Sequence, residues 1–120
     1  MDALSVPIGL SMIAAALLIA GSAVPLTMGW TQRNRWYGMR LTASMSSDEA
    51  WDAVNRYGGR QLIAASVPIL IVGVVALLMP LKQHPVLVML CPAVVLGGVI
   101  TAAVRTVIFD AAYRDQARNR

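Results

Sequence analysis

The chain has little of what catalysis or cofactor binding draws on. It holds one histidine, His84, and one cysteine, Cys91, and its six acidic residues all lie outside the long apolar stretches. A lone cysteine excludes an intrachain disulfide. So sparse a donor set assembles no metal site at zinc spacing, and Cys91-Pro92 is only a weak thiolate-ligand cue. No cofactor is expected, and neither is an enzyme. Ion coupling needs ionisable groups within the membrane, and only Arg105 approaches that description. Linkers, low-complexity tracts and internal repeats are also missing, so residues 1–120 read as a single domain.

What fills the chain instead is apolar sequence. Three stretches carry no charge: residues 3–32, 61–81 and 83–104, of 30, 21 and 22 residues. At 1.5 Å of rise per residue, each crosses a hydrocarbon core of about 30 Å as a helix. Residues 62–81 include twelve Leu, Ile or Val residues, which favours insertion by roughly 4–7 kcal/mol before discounts for position and polar groups. A soluble fold would have to bury three nearly all-apolar helices inside a small domain, with too little outer layer to cover them. The expectation is an all-α membrane protein with transmembrane helices at about 4–31, 61–80 and 86–109, the last running on into a basic C-terminal tail. Asp2 is the only charge before Arg33, so the first segment lacks the basic start of a signal peptide and reads as a retained helix.

Basic residues set the expected orientation. Arg33, Arg35, Arg40, Arg56 and Arg60 fall in the 32–60 loop, and Arg105, Arg114, Arg118 and Arg120 near the C-terminus; the short turn between the last two spans offers only Lys82. The positive-inside rule places the N-terminus outside and both arginine-rich regions in the cytoplasm of a multi-pass protein of the cytoplasmic membrane. Trp30, Trp36, Tyr37, Trp51, Tyr57 and Tyr113 lie on the same side, at the level where amphipathic rings settle. The net charge of +4 then reflects topology and attraction to anionic head-groups, not direct nucleic-acid binding.

The 32–60 loop is the only long polar break, and it changes character within itself. Arg33 to Arg40 form an arginine and aromatic cluster interrupted by Gly38. Residues 47–57 are predicted to be a short interfacial helix: Ser46 and Glu49 have capping-box spacing, Asp48 and Glu49 suit a helix N-terminus, and Gly58-Gly59 is the expected stop. Ala50, Trp51, Val54 and Tyr57 share one face, and Asp48, Asp52 and Arg56 recur at i,i+4 on another.

Asn34-Arg35-Trp36-Tyr37-Gly38-Met39-Arg40, then Ser47-Asp48-Glu49-Ala50-Trp51, then Asn55-Arg56 before Gly58-Gly59, resemble the signature loop of the SdpI-type immunity family of bacterial membrane proteins. The likeness extends through the second and third helices, with Leu41-Thr42 standing where many members carry Thr-Pro. It implies a three-helix module, and in the founding member protection from a secreted toxin together with capture of a transcriptional repressor at the membrane.

Read for chemistry, Arg40 is a fixed cation beside aromatic rings, suited to lipid anchoring or to clamping a carboxylate or phosphate bidentately. Trp51 fits a lipid anchor on its helix, and Asn34 a turn brace through backbone hydrogen bonds. Arg35, Trp36, Gly38 and Arg56 complete the candidate partner- or anion-binding set in the loop. In the third helix Arg105 interrupts an apolar run that resumes at residues 106–109, and snorkelling to the interface is its simplest role. Asp110 and Arg114 are spaced as a helical ion pair. Ala93, Gly97 and Thr101 form a small-residue strip for close helix packing, and Pro25 and Pro92 are expected to bend their helices.

Two functions are consistent with these features. One is an SdpI-like immunity or signalling protein, its partners a peptide toxin and a soluble cytoplasmic regulator. The other is a small accessory subunit that binds other membrane protein subunits through its helices.

Overall fold

The computed structural model describes residues 1–34 and 36–119. Three helices account for most of them: α1 (Ser5–Thr27), α2 (Asp48–Leu78) and α3 (Pro85–Arg118). A single 3-10 turn, Leu81–Gln83, lies between α2 and α3. All three α-helices are long and apolar enough to cross a membrane. The molecule is a rod of 58 × 23 × 18 Å, roughly twice as long as a hydrocarbon core is thick.

The central helix is α2, with α1 packed on one flank and α3 on the other; α1 and α3 scarcely touch. Small residues set the α1–α2 distance. A methyl group added at Gly9 would stand 2.7 Å from the Leu77 Cα, and one at Gly73 would stand 2.8 Å from the Met12 Cβ. Two backbones therefore approach more closely than side chains would allow, the usual device where no hydrophobic effect drives helices together in lipid. Met12, Ala16, Ile69, Ala76, Leu81 and Cys91 form the apolar core between the three elements.

Three local expectations are corrected. The first helix ends at Thr27, not near 31: Gly29, at φ +72°, turns the chain while the Met28 amide still donates to Val24. Residues 47–57 do not form a separate helix, because α2 runs unbroken from Asp48 to Leu78. Gly58 and Gly59 are buried positions where neighbours come close, a Cβ at Gly58 lying 3.0 Å from the Met39 side chain and one at Gly59 lying 3.0 Å from the Ala23 carbonyl. They mark crowding, not a stop. The helix is capped by Ser47, whose hydroxyl accepts from the Ala50 amide at 3.0 Å. Ser46 instead donates to the Ala43 carbonyl at 2.5 Å. Asp48 and Glu49 do occupy the first turn, complementing the helix dipole.

At the end remote from the arginines, Asp2 and Ser5 tie the N-terminus to the α2–α3 turn. The Asp2 carboxylate accepts from the amides of Leu4 and Ser5 at 3.0 Å and of Lys82 at 2.8 Å. Ser5 donates its hydroxyl to the Met79 carbonyl. The Lys82 amide, and then the contacts from Ser5 and Leu4, outweigh desolvation and hold the Asp2 carboxyl down to about 2.

Candidate functional site

The 28–47 connection is much longer than most links between packed helices, and such segments are usually functional. It is also ordered by specific chemistry. Asn34 opens it as an Asx-type brace: its side-chain oxygen accepts from the amides of Trp36 at 2.8 Å and Tyr37 at 2.7 Å, and its amide donates to the Gln32 carbonyl. The Tyr37 hydroxyl reaches the Ser22 carbonyl on α1.

Gly38 follows at φ +114°, and a Cβ there would lie 2.7 Å from the Trp51 ring and 2.8 Å from the Asn55 side-chain oxygen. Backbone geometry and space both require glycine here. Trp51 is only 2% exposed and donates its indole N–H to the Thr31 carbonyl at 2.9 Å. It is a core residue beneath the loop and not a lipid anchor.

Two more buried polar side chains fasten the loop to the helices. Asn55 accepts from the Met39 amide at 2.5 Å and donates to the Trp51 carbonyl at 2.9 Å. Asp110, on α3, accepts from the amides of Ala43 at 3.1 Å and Ser44 at 2.9 Å. It therefore holds the turn at 42–46 and does not form the expected ion pair with Arg114. Ser44 closes that turn from within, donating to the carbonyls of Met39 and Leu41 and accepting from the Leu41 amide. The Asn55 and Asp110 bonds satisfy amides, at Met39 and Ser44, that burial would otherwise leave short of a partner.

Aromatic stacking completes the frame. Tyr57 on α2 lies flat against Phe109 on α3, with centroids 4.3 Å apart and planes 8° from parallel, and Tyr113 leans on Phe109 at 6.5 Å. The loop, the first turns of α2 and the last turns of α3 thus form one polar lobe.

This lobe presents cations and rings outward. Trp36 is 92% exposed and Trp30 67%. Arg40 is also exposed. Arg33 donates to the Met45 carbonyl at 3.0 Å and pairs loosely with Asp48 at 3.6 Å. Arg56 pairs with Asp52 at 2.8 Å, as the i,i+4 spacing suggests, and donates to the Thr27 carbonyl at 3.5 Å. Arg35, another candidate, lies outside the described residues. A cleft of about 390 Å³ opens between the 42–47 turn and the end of α3, with Arg114 and Arg118 on its wall. Another of about 400 Å³ lies between Gln32, Arg33 and the start of α2.

The candidates on α3 sit apart from the lobe surface. Arg105 is exposed and donates to the Gln61 side chain at 3.4 Å. Ala93, Gly97 and Thr101 are exposed, and a Cβ at Gly97 would meet nothing within 4 Å. It is the neighbouring Gly98 that packs on α2, its Cβ position 3.4 Å from Ala65.

Sequence reasoning missed the fastening roles of Ser44, Asn55 and Asp110. A signal for two of them was present. Asn55 is the polar member of the otherwise apolar Trp51 and Val54 face, and Asp110 ends a buried i,i+4 row with Ala102 and Thr106. A polar residue placed on a buried row must find a partner.

A bundle of three spanning helices with a polar lobe at one end defines a multi-pass membrane protein. The model of the SdpI/YfhL protein family matches residues 30–105, which is most of the lobe together with α2 and much of α3. The chain belongs to that family. No curated protein and no solved structure matches it.

Proposed function

We propose that this chain is an SdpI-type protein of the cytoplasmic membrane, with its N-terminus outside and its lobe in the cytoplasm, that serves toxin immunity or membrane signalling by docking a partner on the lobe. Recognition, not catalysis, is its activity. The observation that carries this reading is the 92% exposure of Trp36 on a loop whose backbone is held by side-chain hydrogen bonds, exposed ones from Asn34 and more buried ones from Asn55 and Asp110. A large exposed ring on a braced backbone leaves less chain to order on binding, and tryptophan is among the residues enriched at binding hot spots. Arginines 33, 40 and 56 on the same lobe suit an acidic partner segment. The family membership supports the immunity and signalling context. The positive-inside bias supports the orientation.

The test is gentle extraction of the C-terminally tagged protein from its native host, with mass spectrometry of what co-purifies stoichiometrically. A small soluble regulator that is retained by the parent chain and lost from Trp36→Ala, with the thermal stability of the chain unchanged, is the expected result. Recovery of a multi-subunit membrane complex that Trp36→Ala leaves intact would overturn the reading in favour of an accessory subunit held through the transmembrane helices.

A further inference from the structure

A groove of about 290 Å³ runs between α2 and α3, floored by Ala64, Ala65, Gly97 and Gly98 and closed at the arginine-rich end by Gln61 and Arg105. Its position relative to the membrane follows from charge: Arg60 and Gln61 mark where the uncharged part of α2 begins, and Arg105 meets Gln61 at that level. From Arg105 to Val94, the farthest lining residue on α3, the groove extends about 16 Å along the helix axis. That is the depth of one leaflet, half of a core of about 30 Å. Val104, Val107 and Ile108 surround Arg105 with exposed apolar surface, so its guanidinium stands at a lipid-facing position with one neutral partner at 3.4 Å. A cation snorkelling there is placed to meet an anion at head-group height.

The geometry points to a single anionic phospholipid in this groove, its phosphate on Arg105 and Gln61 and one acyl chain lying over Gly97 and Ala64. Basic pockets between transmembrane helices commonly hold acidic head-groups. The two adjacent glycines divide the work, Gly98 allowing α3 to close on Ala65 while Gly97 leaves the channel open. A second copy of this chain fits the face less well, because a two-fold pair across the groove would set two Arg105 cations at the same height on the shared face. The site is independent of which side the lobe faces and of the partner it docks.

The test is native mass spectrometry of the full chain in mild detergent, titrated with dioleoyl phosphatidylglycerol or dioleoyl phosphatidylcholine. The expected result is one retained phosphatidylglycerol, bound at least about fivefold more tightly than phosphatidylcholine, the effect of one basic residue at a lipid surface. Arg105→Gln should abolish that preference, and Gly97→Leu, which fills the groove and keeps the cation, should weaken retention of both lipids. Excess inorganic phosphate should not displace the bound lipid. Equal retention of the two lipids by the unmodified chain would overturn the proposal without recourse to any variant. So would a dimer that Gly97→Leu dissociates while lipid retention stays constant.

Discussion

The two ends of the rod are fastened by the same kind of bond, side chain to backbone, but on different scales. At the arginine-rich end the long 28–47 loop is held by side chains that are themselves buried: Ser44, Trp51, Asn55 and Asp110. At the other end a short turn is held by Asp2, near the chain terminus, acting with Ser5. The short turn needs little, because two helices already fix its ends and loop-closure entropy is small. The long loop is also closed by two packed helices, but it has far more chain to order, and a dense set of internal bonds makes it one shape. Order at the lobe thus takes many specific residues, whereas at the other end Asp2 and Ser5 suffice.

Substitutions can break that contrast. The largest effect is expected from Trp51→Ala, which removes the buried ring beneath Gly38 and the bond to Thr31; a loss of about 3–5 kcal/mol should appear in thermal denaturation in detergent. Asp110→Ala comes next, at about 2–3 kcal/mol, since two amides lose a charged acceptor but Ala43 borders the open cleft and water can reach it. Proteolysis should then cut the 42–46 turn first. Asp2→Asn should cost least and leave the lobe's protease resistance intact. If the Asp2 change opened the lobe as fast as the Asp110 change, the two ends would not be independent.

Acid sharpens the same contrast. The Asp2 carboxyl is depressed in the folded state, so its stabilising contribution is complete above the ordinary carboxylate range and is lost as pH falls from about 4 towards about 2. Protection of the Lys82 amide, its exchange rate relative to the intrinsic rate at the same pH, should fall in that window in the parent chain. Asp2→Asn should flatten the profile.

The sequence disclosed the membrane part of this architecture and much less of the lobe, for a physical reason. A lipid-spanning helix is specified by composition, and three charge-free stretches suffice to reveal it. The lobe is specified by pairings between segments far apart in the chain. Trp51 on an amphipathic face reads the same whether lipid or a loop covers it. Gly58-Gly59 looks like a helix stop until Met39, Thr106 and α1 are seen to crowd both positions. Asp110 and Arg114 have ion-pair spacing, but two amides 67 and 66 residues earlier compete for the carboxylate and win. Asn34 and the Asp52–Arg56 pair were exceptions, because their partners are local, two to four residues away.

The unbroken run of α2 through Gly58-Gly59 has a mechanical consequence. A continuous helix transmits motion, and this one extends about 46 Å from the lobe to the far turn, with Pro68 as an interior point of bending. Whatever tilts or rotates its apolar part in the bilayer swings the lobe with it, and a ligand gripping the lobe reorients the apolar part by the same coupling, since linkage between two sites on one body is reciprocal.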